Sequence, residues 1–217
     1  MTGRGPPGRA PDVVAITEAA LDPDETLAKL ERMLGAVPRG SLALQLRYPG
    51  AMGGALFALA ERAKKVCEAF GAPLYVNDRL DVALAAGADG VHLGTRSIEV
   101  GDARRLLGPA SFVSVAAHEA ADVDRAAAGG ATAALVSPIF ATPGKGPPRG
   151  PAFLALARAR APGLALYALG GVDAENAQRC VEAGASGVAV IRALFGAPDP
   201  AAAAAALVGA VRARAAR

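Results

Sequence analysis

The side chains in this sequence that can hold an anion or move a proton fall at the ends of short apolar runs. Leu44-Gln45-Leu46-Arg47 is the first such place. Alternation along a strand sends Leu42, Leu44 and Leu46 to one face and Gln45 and Arg47 to the other. A Gln and an Arg side by side on one inner face at a strand end read as functional and not as merely solvated. Val76-Asn77-Asp78-Arg79 is the second place. Asp78 either caps the next helix or joins Asn77 in binding a divalent ion or a hydroxyl-bearing substrate. The chain has two histidines. His92 lies within a run and reads as pocket-lining. His118 follows a run and is the general acid/base candidate, because an ordinary imidazole titrates near neutrality.

Further along, one lysine stands in an unusual setting. The chain has four lysines, and Lys145 sits between Gly144 and Gly146 in the segment from Ser137 to Gly150. A cation on such a loop suggests a mobile lid that closes on phosphate. Leu169-Gly170-Gly171-Val172 offers main-chain amides that an anion can approach closely. Val190-Ile191-Arg192 leads into a short helical turn, Ala193-Leu194-Phe195. These last two segments together read as a phosphate site.

The elements that must position these groups follow from periodicity. Eight apolar runs read as strands: 13–16, 42–46, 74–76, 90–93, 112–116, 133–137, 165–169 and 187–191. Amphipathic stretches lie between them at 25–34, 56–70, 81–86, 103–107, 120–128, 153–160 and 174–183, and a last helix spans about 201–216. Strand-then-helix alternation requires parallel strands with crossovers. Near copies of one helix-to-strand turn occur at Ala86–Val91, Gly129–Ala134 and Ala183–Val188. In each, a Gly that tolerates a left-handed cap ends the helix. Eight equivalent units in this length predict an α/β fold of the (β/α)8 TIM barrel type, with its site at the C-terminal strand ends. A doubly wound sheet would usually carry a Gly-rich turn after the first strand, and Ala15-Ile16-Thr17-Glu18 is not one.

With 217 residues, 53% of them hydrophobic, the chain suits one domain, expected over residues 12–217. Residues 1–11 are Gly/Pro/Arg-rich and read as a loose tail with no signal-peptide character. The net charge of +3 and the 4% aromatic content mark no nucleic-acid surface. No apolar run is long enough to span a membrane. Cys67 and Cys180 are far apart and read as small core residues, which fits a reducing cytoplasm.

Taken in order, these segments resemble the thiamine phosphate synthase/TenI family, over essentially Val13 to Phe195. The resemblance rests on Leu44–Arg47, Asn77–Arg79, Gly90–Gly94, Ala117-His118, Ser137–Thr142, Gly170–Val172 and Gly187–Val190. It implies coupling of an aminopyrimidine pyrophosphate to a thiazole phosphate with release of diphosphate. The diphosphate would lie on Gln45, Arg47, Asn77 and Lys145, with Asp78 as a Mg2+ ligand. The thiazole phosphate would lie on the amides around Gly170, Gly171, Ile191 and Arg192, and Thr142 would line the thiazole side. The chain departs from the family pattern at Tyr48, Pro49, Ser97, Ala116 and Gly144. A second activity of the resembled family, metal-independent tautomerisation of a thiazole carboxylate phosphate, would use His118 for proton transfer. A protein that binds thiazole or thiamine phosphate without turnover is a third reading. The resemblance also leaves room for a homodimer.

Overall fold

A computed structural model of the chain describes residues 10–213. Eight parallel strands close into a barrel in sequence order: β1 (Val13–Ile16), β2 (Leu42–Leu46), β3 (Leu74–Asn77), β4 (Gly90–Leu93), β5 (Phe112–Ala117), β6 (Ala133–Val136), β7 (Ala165–Leu169) and β8 (Gly187–Val190). The helices between them are α1 (Pro23–Gly35), α2 (Gly53–Phe70), α3 (Leu80–Ala85), α4 (Val100–Leu107), α5 (Ala120–Ala128), α6 (Pro151–Arg160) and α7 (Ala177–Glu182). The short α8 (Arg192–Phe195) and the terminal α9 (Pro200–Arg212) follow β8. The expected strands and helices are thus all found, with ends shifted by a few residues. Residues 1–9 of the expected tail, and the last residues of the expected final helix, lie outside the described residues. Pro11 is buried, and its carbonyl accepts the Tyr167 hydroxyl at 2.7 Å, so the packed chain begins before residue 12.

Alternation divides the apolar side chains into two cores. Leu42, Leu44, Leu46, Val76 and Val188 pack outward against the helices. Val14, Ala43, Tyr75, Leu135, Tyr167 and Ala189 pack inside the barrel. The floor of the interior is aromatic, and glycines make room for the rings. Tyr75 and Phe112 lie on either side of Gly90 in register and stack with centroids 4.2 Å apart. A Cβ on Gly187 would stand 2.9 Å from the Tyr167 ring. One layer higher the interior turns polar on one side: Gln45, Asn77, His92 and Ser114 face inward from β2, β3, β4 and β5. The interior of β6, β7, β8 and β1 stays apolar.

The internal repeat has a structural counterpart. Gly87, Gly130 and Gly184 adopt positive φ at the expected turns. The polar residue before β4, β6 and β8 (Asp89, Thr132, Ser186) accepts the amide of Leu74, Val113 and Leu166 on the preceding strand. Each is also bound by a cation from an even helix: Lys64 of α2, Arg104 of α4 and Arg158 of α6. Arg104 reaches Gly130 O, Pro109 O and Ser111 O as well, and Arg158 reaches Gly184 O, Pro162 O and Leu164 O. Arg104 and Arg158 thus tie main-chain carbonyls at these turns, while Lys64 binds the Asp89 carboxylate. They hold the barrel end opposite the candidate site.

Candidate functional site

The C-terminal strand ends gather three groups of side chains. The first spans β2 to β4. Asn77 Nδ2 donates to Asp78 Oδ2 at 2.7 Å, so Asn77 turns its oxygen toward Gln45, whose Nε2 donates to it at 3.1 Å. The carboxylate thereby fixes both amide orientations. Gln45 is 1% exposed, and its Oε1 is a buried acceptor with no partner. Leaving such a group bare costs on the order of 1–3 kcal/mol, which marks the atom as one that a ligand can satisfy. Asp78 is the one non-glycine residue with positive φ (60°) among the described residues. Its Oδ1 accepts the Gly94 amide at 3.0 Å and the Ser97 hydroxyl. It does not cap α3: the cap position is Arg79, and no side chain bonds there. The capping alternative therefore falls away. Left-handed strain of about 1–3 kcal/mol is typical of residues held for a functional purpose.

The second group lies on β4 to β6. His92 Nδ1 is 3.0 Å from Ser114 Oγ, and Ser114 in turn donates to Val91 O at 3.4 Å. A serine hydroxyl committed to a carbonyl accepts from the ring, so Nδ1 carries the proton. Burial lowers the His92 pKa to about 4, with Arg47 and His118 adding to the effect and Asp78 opposing it. His92 is thus a neutral imidazole in the interior wall. His118, just beyond β5, donates from Nδ1 to Ser137 O at 2.9 Å. His118, Ser137 and Lys145 line one cavity of about 580 Å³. Both expected histidine positions therefore border the interior; of the serines that orient them, Ser137 opens a segment already named, and Ser114 carries no motif of its own. Strand parity, which turns Ser114 inward beside His92, was the available signal.

The third group lies on β6 to β8. Gly170 and Gly171 adopt φ of 95° and 64°. A Cβ on Gly170 would meet Pro138 Cα at 2.9 Å, and one on Gly171 would meet Ala141 O at 2.7 Å. The pair therefore has a packing role: it lets the β6–α6 segment cross close above β7, where Ile139 and Phe140 donate to Leu169 O and Gly170 O. The amides of Gly170, Gly171 and Arg192 have no main-chain acceptor among the described residues. Asn176 Nδ2 holds Gly171 O at 2.9 Å. The predicted helix start near Ala174 is displaced to Ala177, because Asp173 Oδ1 accepts the amides of Glu175 and Asn176 in a turn. Thr142 stands beside Gly170 and donates to Phe140 O at 3.0 Å. The expected lid is tied at both limbs, since Arg149 and Gly150 donate to Pro138 O and Ile139 O. Lys145 lies at the tip between these limbs.

Arg32, Arg62, Arg79, Arg105, Arg125, Arg160 and Arg212 pair with carboxylates. Arg47, Lys145, Arg149 and Arg192 sit at the rim without a carboxylate partner among the described residues. Arg47 is placed by its backbone: Thr17 Oγ1 accepts the Arg47 amide and donates to the Arg47 carbonyl, each at 2.8 Å. Arg47 and Arg192 touch no other predicted site residue by hydrogen bond. Unpaired cations around one opening attract and retain anions.

A divalent cation would find one carboxylate here. Asp78 already accepts three hydrogen bonds, and no group of three His, Cys, Asp or Glu side chains stands together among the described residues. Such a donor set fits an ion that arrives with oxygens of its own, not one held by protein alone. No helix among the described residues is long and apolar enough to cross a membrane.

The family model described as thiamine monophosphate synthase matches residues 13–194. A thiamine-phosphate synthase of Roseiflexus castenholzii is 45% identical over 175 residues, covering 79% of this chain and 76% of the relative. One from Methanoculleus marisnigri is 41% identical over 196 residues, covering 89% and 92%. Among solved structures, thiamine phosphate pyrophosphorylase from Pyrococcus furiosus superposes with a TM-score of 0.83 at 25% identity, covering 93% of this chain and 96% of that one.

Proposed function

The chain belongs to the thiamine monophosphate synthase family and is a transferase of thiamine biosynthesis; we propose that it joins an aminopyrimidine pyrophosphate to a thiazole phosphate and releases diphosphate. The observation that carries this reading is one rim with unpaired cations above an interior layer with an unpartnered buried acceptor. The bond from the pyrimidine methylene carbon to the diphosphate oxygen breaks, and its electron pair leaves with the diphosphate. The thiazole nitrogen lone pair then forms the carbon–nitrogen bond. No proton has to leave either partner, so His118 serves as a hydrogen-bonding wall of the cavity and not as a base. The work is electrostatic stabilisation of the leaving group, which we assign to Arg47 and Lys145 with Asn77.

Gln45 takes a different role from the diphosphate contact that the resemblance implied. Its free atom is an acceptor, which repels an anion and suits an amino group. We assign it to the aminopyrimidine. Gly170, Gly171, Ile191 and Arg192 take the thiazole phosphate, with Thr142 against the thiazole ring. Mg2+ would rest on Asp78 together with diphosphate oxygens, and when bound it would spread the leaving group's charge. The buried, unpaired Cys67 and Cys180, with thiols pushed by burial to about 12 and about 11, support a reducing cytoplasmic setting. A homodimer stays within this proposal and is checked by size-exclusion chromatography. The decisive assay incubates purified protein with both substrates, with and without Mg2+, and detects thiamine phosphate and diphosphate. Failure to form either product, with intact binding of thiazole phosphate, would turn the reading toward binding or tautomerisation.

A further inference from the structure

The β6–α6 segment carries two cations of different standing, and the reaction above uses only Lys145. Lys145 is at the tip, where its amide donates to Thr142 O at 3.1 Å within a turn. Arg149 is on the returning limb. Its own amide donates to Pro138 O at 2.8 Å and the next residue's to Ile139 O at 3.0 Å, so its backbone is tied to the rim. Its guanidinium carbon stands 5.4 Å from the centre of the Phe153 ring. An aromatic face seats a guanidinium without consuming its N–H edge, which stays free to bind oxygens in a planar fork. Arg149 has no carboxylate partner among the described residues. It lines the same cavity as Lys145, His118 and Ser137.

We propose that Arg149 is a second diphosphate-binding cation, fixed at the cavity mouth, onto which Lys145 closes. The proposal rests on the synthase reading above for the identity of the anion. The fixed limb supplies the preorganised contact, and the tip supplies the movable one. Phe153 is a positioning residue, acting through the guanidinium that it seats.

The test compares Arg149→Gln, Arg149→Lys and Phe153→Leu with the wild type. Calorimetry with inorganic diphosphate gives affinity, and steady-state kinetics give KM for each substrate. Arg149→Gln should raise the diphosphate Kd and the pyrimidine pyrophosphate KM by roughly ten- to a hundredfold, as loss of a charge-assisted contact does. The thiazole phosphate KM should not move. Arg149→Lys should recover part of the loss, because charge returns without the fork. Phe153→Leu should fall between wild type and Arg149→Gln. Unchanged diphosphate affinity in a folded Arg149→Gln would overturn the proposal, and so would a loss confined to thiazole phosphate. Diphosphate binding that depends on Arg149 in a protein unable to couple the substrates would leave this anion site standing and remove the synthase reading instead.

Discussion

Gln45 and Asn77 are hydrogen-bonded across neighbouring strands at 3.1 Å, and the direction of that bond leaves the Gln45 oxygen buried and unpartnered. Gln45→Met keeps the length of the side chain and removes the acceptor. The pyrimidine pyrophosphate KM should rise about tenfold, the cost of a single neutral hydrogen bond, while the thiazole phosphate KM stays put. Steady-state kinetics with each substrate varied in turn would show it. An unmoved pyrimidine KM would take Gln45 out of that subsite.

Ser97 donates its hydroxyl to Asp78, where a second carboxylate would give a hard cation a second charged ligand. Coupling should stop in EDTA and need high Mg2+ to recover. Ser97→Asp should lower the Mg2+ needed for half-maximal rate by several-fold, roughly 1 kcal/mol for one added exposed charge contact. Coupling that survives EDTA would refute the role given to Asp78.

His118 is placed with Nδ1 on the Ser137 carbonyl and borders the Lys145 cavity. If coupling needs no proton transfer, His118→Asn should keep the coupling rate within about tenfold. A loss in the range of 100- to 10,000-fold is what removal of a general acid or base brings. Such a loss, measured on thiazole carboxylate phosphate isomerisation, would instead identify a tautomerase.

Much of this was legible in the sequence, and the limits have physical causes. The barrel, its strand order and the inward face of Gln45 follow from alternation and a repeated turn. The neighbours in register did not follow. Nothing in Asn77-Asp78 shows that Asp78 takes a left-handed backbone and collects Gly94 and Ser97 from the next strand's end. The Gly-Gly turn read as an anion cradle, yet its tightest requirement is the close crossing of Pro138 and Ala141, which only packing reveals. Arg149 was one arginine in a Pro/Gly segment until its limb was seen tied to the rim. Nothing in the sequence marks Lys64, Arg104 and Arg158 as clamps, because the Asp89, Thr132 and Ser186 side chains that they bind lie 25, 28 and 28 residues further along.

His92 is buried with its pKa lowered to about 4 from 6.5, chiefly by desolvation. The folded state resists a proton that the unfolded chain accepts. Its contribution is therefore present above the unfolded value and is lost as pH falls from 6.5 toward 4. The size over that whole range is on the order of 3 kcal/mol. Urea unfolding at pH 7 and pH 5 should show a smaller drop in stability for His92→Asn than for wild type. Equal drops would mean that other groups carry the acid sensitivity.

Arg104 should matter to folding and not to catalysis. Its guanidinium bonds Gly130 O, Pro109 O, Ser111 O and the Thr132 hydroxyl, at 2.6 to 3.1 Å. Two of these contacts are partly buried, so water cannot replace them freely when the side chain is lost. Arg104→Met retains the aliphatic stem and removes all five donors. The expected destabilisation is about 2–4 kcal/mol, from the charged hydrogen bonds lost. Arg158→Met, at the equivalent turn, should cost a similar amount. The two sites share no partner, so the double variant should show nearly additive losses. KM for both substrates should be unchanged below the melting range, since both cations hold the end of the barrel opposite the site. A near-neutral Arg104→Met in denaturant titration would show that these turns stand without their clamps, and altered KM values would show that the two barrel ends are coupled.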